Sequence, residues 1–335
     1  RPDEAMLFFN VGGEGVSAPR SSVYVITPDS IRSYPLTVDA ADLSESVRFL
    51  RDRISALPRG HGEGWEEVSR QLYRQLMGPA LAQLPESVRH LHIVPEGSLH
   101  YIPFAALLGD DGQFLVEKYT LSVAPSASIL KLCRERNPRL WRSILMVADP
   151  SGRLPGARSE AAAIAALPSV RPLRLVGDDA TQANLEAFAE QYDILHFATH
   201  GNFNSRSPWY SHLELHNDVL SVEEIGQLHL NAYLVTLSAC ETALSGGITS
   251  DIPAGDEWIG LNQAFLAAGS PTVMASLWPI DDRVSSRFMS GFYRRLLDSD
   301  GKATALAQMQ RLFIQDAQTR HPFYWAAFTV IGDPL

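Results

Sequence analysis

Two hydrophobic runs end on side chains that can do nucleophilic chemistry. Asp193-Ile-Leu-His-Phe-Ala-Thr-His200-Gly201 reads as a strand that stops in a glycine turn. Tyr233-Leu-Val-Thr-Leu-Ser-Ala-Cys240 reads as the next strand, again ending on a usable side chain. If the two strands lie side by side and parallel, their ends are about 5 Å apart, one strand spacing. Imidazole and thiol then come within reach of each other, the minimum equipment of a cysteine nucleophile with its base. Gly201 has no Cβ, so the backbone can turn sharply there and leave its N–H pointing into the cleft. That N–H and the N–H of Cys240 can together bind a developing oxyanion. The chemistry implied is acyl transfer: thiol attack on a carbonyl, with His200 handling the proton.

Each residue alone has a plainer reading. A cysteine after an apolar run is usually a small buried hydrophobe, and a histidine at a strand end often only bonds a carbonyl. The joint placement, at the ends of consecutive strands, is what lifts both. His196 and His200 would be a zinc pair on a helix, but in a strand four residues span about 13 Å. One ion does not bridge that, so His196 reads as a buried strand residue and no metal is expected. With only Cys133 and Cys240, there is neither a thiolate cluster nor a disulfide framework. No G-x-S-x-G elbow or Walker A sequence occurs, and a hairpin turn explains the glycines of Asn10–Gly15 at least as well as a dinucleotide loop. No cofactor is expected.

Asp281 and Asp282 follow Leu277-Trp278-Pro279-Ile280, in a stretch expected to border the same cleft. As substrate-binding carboxylates they would favour Arg or Lys before the scissile bond through paired hydrogen bonds. As helix-start residues they would cap the following helix and complement its dipole, and this is the preferred reading for at least one of them. Glu241, Asp251, Asp256 and Glu257 are weaker candidates for the cleft. The stretch 245–255 reads as a mobile loop that could gate entry.

The elements that must position these residues follow from pattern. The second half alternates strands (Ser143–Ala148, Pro172–Val176, Asp193–Ala198, Tyr233–Ser238, Thr272–Leu277, Ala327–Ile331) with helices (Ala157–Leu167, Gln182–Gln191, Val222–Leu228, Glu257–Ala268, Arg283–Leu297, Ala303–Thr319). Such alternation implies an α/β fold, a mostly parallel sheet covered by helices, with ligands beyond the C-terminal strand ends. Ser221-Val-Glu-Glu224 fits a capping box, and Gly269 suits a helix terminus. The first half supplies strand-like runs at Met6–Val11, Val23–Ile26, Ile31–Leu36 and His90–Pro95, and helical periodicity at Ser44–Leu57 and Trp65–Leu84. Asn137-Pro138 marks a seam, dividing the chain into units 1–137 and 138–335. No internal repeat is visible.

At 335 residues, 45% hydrophobic and a net charge of −10, the chain is large enough for one big domain or two ordinary ones and is ill-suited to nucleic acid. No run reaches the ~18 apolar residues of a membrane span, no signal pattern opens the chain, and the cysteine usage fits a reducing compartment; a cytoplasmic location is expected. The start at Arg1 rather than Met points to a longer parent protein.

The motifs together resemble the CHAT domain, a caspase- and separase-like cysteine peptidase domain. The resemblance is carried by His196-Phe-Ala-Thr-His-Gly201, Leu237-Ser-Ala-Cys-Glu-Thr-Ala243, Gly260-Leu-Asn-Gln-Ala-Phe-Leu-Ala-Ala-Gly269 and Ala275-Ser-Leu-Trp278. Ile93-Val-Pro-Glu-Gly-Ser-Leu-His-Tyr-Ile-Pro-Phe104, Leu154-Pro-Gly-Ala157 with Glu160, and His321-Pro-Phe-Tyr-Trp-Ala-Ala-Phe328 fit in the same order. It implies a caspase-like sheet whose His-bearing third strand neighbours the Cys-bearing fourth, with His200 as base and Cys240 as nucleophile. It further implies that the first unit is a degenerate caspase-like half without catalytic residues. Members commonly follow TPR repeats or other sensor modules, and prokaryotic ones occur in defence and regulated-death systems. Gln263 stands where many members carry arginine. The leading expectation is an endopeptidase cutting a protein partner at a restricted site. Its rivals are a catalytically silent scaffold, against which the intact His-Gly and Cys motifs count, and a hydrolase acting on a small molecule.

Overall fold

The computed structural model describes residues 1–12, 21–58, 64–136, 141–202, 208–238, 256–280, 282–299 and 301–335. Cys240, Glu241, Asp251, the stretch 245–255, Asp281 and the seam Asn137-Pro138 lie outside the described residues.

The described strands are β1 (Glu4–Asn10), β2 (Ser22–Thr27), β3 (Ser30–Pro35), β4 (His90–Val94), β5 (Thr120–Val123), β6 (Ser143–Ala148), β7 (Arg171–Val176), β8 (Ile194–Ala198), β9 (Gly201–Asn202), β10 (His212–Leu215), β11 (Asp218–Ser221), β12 (Leu234–Leu237), β13 (Thr272–Ser276) and β14 (Phe328–Gly332). Eleven of them form one sheet in the order β3-β2-β1-β4-β5-β14-β13-β12-β8-β6-β7, and β11-β10-β9 form a second, three-stranded one. In the large sheet only the pairs β1–β2, β2–β3 and β13–β14 are antiparallel. The expected α/β architecture, a mostly parallel sheet flanked by helices, is the one observed. Every residue of β6, β8, β12 and β13 is buried; a strand on each side and helical cover leave no solvent face, which is why these strands read as unbroken apolar runs.

Both halves of the chain share this sheet. Strands β1–β5 come from the first half and β6–β8 and β12–β14 from the second, and the join is the parallel contact of β5 with β14 at Val123 and Ile331. The core is continuous across it, with Leu7 and Phe9 in the same apolar cluster as Phe197, Phe265 and Phe288.

The registers show a repetition that the sequence hides. In the first half β1, β4 and β5 run parallel with Met6, His92 and Ser122 in one row. In the second half β6, β8 and β12 run parallel with Met146, His196 and Thr236 in one row. Four residues further along the chain, His200-Gly201 corresponds to Glu96-Gly97 and Cys240 to Ser126. In the first half these positions serve local structure. Glu96 accepts the Val11 N–H at 2.6 Å, and the Ser126 hydroxyl accepts the Ile129 N–H at 3.1 Å in the first turn of the helix Ala127–Arg136.

Local signals mostly set element ends. Ser221 and Glu224 form the expected capping box ahead of the helix Val222–Gln227. Gly269, with φ 122°, follows the helix Asp256–Ala267, and a Cβ there would collide with the Leu230 carbonyl. The run Trp65–Leu84 is not one helix. An α-helix over Trp65–Leu72 passes into a π-helical turn at Tyr73–Met77 and a short helix at Gly78–Leu81. Pro79 explains the break: it has no N–H for the carbonyl four residues back and its ring crowds that carbonyl. The Gly78 N–H bonds the Tyr73 carbonyl instead, the wider π spacing that absorbs the defect.

Candidate active site

The site is built where β8 and β12 end. They are parallel neighbours, with Ile194 opposite Leu234 and Phe197 opposite Leu237. That interval between partners equals the interval between His200 and Cys240 in the sequence. The ladder continues past the strand assignment, because the Ser238 N–H donates to the Phe197 carbonyl at 2.9 Å.

Past Ala198 the chain turns into the small sheet, which fixes the corner carrying the histidine. The Glu214 N–H donates to the His200 carbonyl at 2.8 Å, and the Thr199 hydroxyl donates to the Glu214 carbonyl at 2.8 Å. Gly201 is buried, opens β9 and lies opposite Leu213 of β10. It is not among the glycines with positive φ. The sharp glycine turn expected at this position is therefore a strand start that needs no left-handed angle.

A cleft of about 200 Å³ opens at these strand ends. His200 and Thr199 line it together with Ser238, with Ser276 at the end of β13, and with Pro279 and Ile280 of the following segment. Ala157 and Glu160 close it from the helix Pro155–Ala165, and Ser285 from the helix Asp282–Asp298. Asp149 anchors the first of these helices. At φ 48° its N–H reaches the Ala198 carbonyl at 3.0 Å, and its carboxylate takes the Leu154 N–H at 2.7 Å and the Arg158 guanidinium. Burial works to raise the Asp149 pKa, but the Arg158 hydrogen bond and charge and the Leu154 N–H hold it below the usual carboxylate range.

Beneath the cleft runs a buried polar chain. His196 is fully shut off from solvent; its Nδ1 lies 3.0 Å from the Tyr293 hydroxyl and its Nε2 lies 3.0 Å from Glu160 Oε1. Tyr293 in turn donates to Thr236 of β12 at 2.8 Å. Burial pushes the Tyr293 phenol well above its ordinary pKa, so it remains a proton donor. Glu160 Oε2 accepts the Ser285 hydroxyl at 2.6 Å, and Ser285 meets the Ser238 hydroxyl at 3.3 Å.

The residues expected from sequence therefore separate. His200 lines the cleft, Gly201 adjoins it in β9, and His196 is the buried strand residue it was read to be. Pro279 and Ile280 border the cleft as expected, and Asp282 opens the helix Asp282–Asp298. Asp256 and Glu257 begin the helix Asp256–Ala267. The other cysteine, Cys133, is buried in the helix Ala127–Arg136, and burial pushes its thiol up to about 11, away from thiolate chemistry. Sequence reading missed Asp149, Ser285 and Tyr293. No spacing links Tyr293 to His196, 97 residues apart. Asp149 did carry a signal, as an acid directly after a buried strand and shortly before Pro155.

A largely parallel α/β sheet of caspase-like arrangement, with a histidine at the end of one central strand and a sequence cysteine at the matching interval beyond its neighbour, defines the fold class. The chain belongs to the CHAT domain family, whose profile matches residues 66–333. It is 28% identical over 356 residues to tetratricopeptide repeat protein 28 of mouse, and equally to that of human. In each case 87% of this chain is aligned, but the chain spans only 14% of the relative's length. Separase in the Saccharomyces cerevisiae separase–securin complex shares the fold, with a TM-score of 0.62 at 12% identity; 99% of this chain and 30% of that one are covered.

Proposed function

We propose that this CHAT domain is a cysteine endopeptidase that cuts a protein partner at a restricted site. In this reading Cys240 is the nucleophile, His200 the base, and the N–H groups of Gly201 and Cys240 the oxyanion donors. The observation that carries it is the pairing of β8 with β12, whose register interval equals the His200–Cys240 interval, beside a cleft that His200 lines. The imidazole takes the thiol proton, the thiolate attacks the peptide carbonyl, and the imidazole returns the proton to the leaving amine; water then releases the acyl group by the same proton traffic in reverse. Residues 1–137 serve as the degenerate half and 138–335 as the active half. Asp281 or Asp282 reads the residue before the cut. The proposed setting is cytoplasmic, in a defence or regulated-death pathway of the prokaryotic kind, with a TPR or other sensor module fused or associated. Among the described residues no helix is long and apolar enough to cross a membrane.

A second reading has support of its own. The relatives are tetratricopeptide repeat proteins, and the first half carries Glu96 and Ser126 at the positions matching His200 and Cys240. A silent scaffold that only binds partners is thus the alternative. A proteome-wide survey of cleavage sites with wild type and Cys240→Ala separates the two. New termini that appear only with wild type support the peptidase; identical termini in both leave the scaffold.

A further inference from the structure

The proton inventory of the buried chain gives it a direction. Ser285 has one proton and gives it to Glu160 Oε2, so it accepts from Ser238. Tyr293 gives its proton to Thr236, so it accepts from His196 Nδ1–H. His196 Nε2 and Glu160 Oε1 lie 3.0 Å apart, which brings the two chains together in the buried interior. One chain starts at Ser238 and the other ends at Thr236, both on one strand and its extension. Thr236 and Ser238 are alternate residues, so they share a face of a strand, and Cys240 follows two residues later in the sequence. Glu160, 3% exposed, borders the cleft with His200, Ser238 and Ser285, and His196, 0% exposed, lies beneath it.

We propose that Glu160 and His196 are positioning residues for Cys240: through Ser285 and Tyr293 they hold Ser238 and Thr236, and so set where the strand end delivers the thiol. This rests on the reading of Cys240 as nucleophile. Hydrogen bonds between Glu160 and Ser285 and between His196 and Tyr293 hold their partners directionally, and displacement of a reacting atom by about 1 Å can cost up to a hundredfold in rate. Ser285 is the accessible place to break the chain, because it is only partly buried and its removal takes away one hydroxyl.

The test is the rate at which iodoacetamide alkylates Cys240 in the full chain, mapped by mass spectrometry against Cys133, with thermal unfolding followed in parallel. Ser285→Ala and Glu160→Gln are expected to slow labelling of Cys240 about tenfold. Ser285→Thr, which keeps the hydroxyl, is expected to restore it. The Ser238→Ala/Ser285→Ala double variant should be no slower than either single one, since both lie on one path. If Ser285→Ala labels at the wild-type rate while His200→Ala is slow, the positioning role is overturned and the dyad stands. If His200→Ala leaves the rate unchanged and wild-type Cys240 reacts no faster than Cys133, the dyad fails and the positioning role fails with it. Should Glu160→Gln unfold, the serine variants alone decide.

Discussion

The Ser238 N–H donates to the Phe197 carbonyl at 2.9 Å, so the β8–β12 ladder is still in register two residues before Cys240 and three before His200. That relationship turns the strand-end argument into a prediction. Cys240→Ala and His200→Ala should each abolish peptide turnover, and the double variant should be no worse, because nucleophile and base act as one unit. Cys133→Ser should keep activity. The measurement is steady-state cleavage of a selected peptide alongside unfolding temperature; substantial turnover by Cys240→Ala removes the assignment.

Gly201 is buried and opposite Leu213 at the start of β9. Its φ is not positive, so the prediction concerns the N–H and not a left-handed angle. Gly201→Val should lower kcat by roughly a hundredfold, the scale of losing one oxyanion donor. Gly201→Ala should lie between it and wild type. Near wild-type kcat for Gly201→Val excludes the oxyanion role.

Tyr293, fully buried, joins His196 to Thr236. Tyr293→Phe keeps the ring contacts with Trp141 and Phe292 but strands a buried donor and a buried acceptor. The expected loss is about 1–3 kcal/mol in denaturant unfolding. A loss within experimental error means the partners find other bonds and the chain is not a unit.

How much of this was legible follows from which forces act locally. The apolar runs of β6, β8, β12 and β13 were readable because strands buried on both faces show no alternation to decode. The Ser221 cap and Gly269 were readable because each meets its requirement within a few residues. The small sheet β9–β11 was not: its strands are short, and what fixes them is pairing with the His200 corner. The likeness of the two halves was hidden for the same reason, since Met6, His92 and Ser122 align with Met146, His196 and Thr236 only once registers are known. At the site, the dyad was visible as two strand ends. Its support was not, because Glu160, Ser285 and Tyr293 reach the cleft floor from two helices far apart in the chain.

Asp149 ties the end of β6 to the helix that carries Glu160, and its carboxyl is held below its ordinary value of 3.8. A depressed folded pKa contributes stability above the ordinary value, which is lost as pH falls through the folded one. Arg158→Met should therefore cost about 1 kcal/mol at pH 7, a modest figure because Arg158 is half exposed. The difference from wild type should shrink as the pH falls below about 4, where the carboxyl begins to protonate. Urea unfolding of both proteins across that range checks it; a difference that persists unchanged into strong acid assigns the effect to packing of the Arg158 stem.

Specificity is the remaining question. Pro279 and Ile280 line the cleft with His200, and Asp282 opens the helix Asp282–Asp298 immediately after them. A carboxylate there can meet an Arg or Lys before the scissile bond with charge-assisted bonds, and losing such a partner costs a few kcal/mol. A helix start uses the same residue type to complement the dipole, a contribution of only about 0.3–1 kcal/mol to stability. The two roles differ in what they move. If Asp282 reads substrate, Asp282→Ala should lower kcat/KM for an Arg peptide at least tenfold more than for its Leu counterpart, with Asp281→Ala the matching control. If both variants lose a little stability and keep the Arg-to-Leu ratio of wild type, the pair serves the helix and the preference is set elsewhere in the cleft.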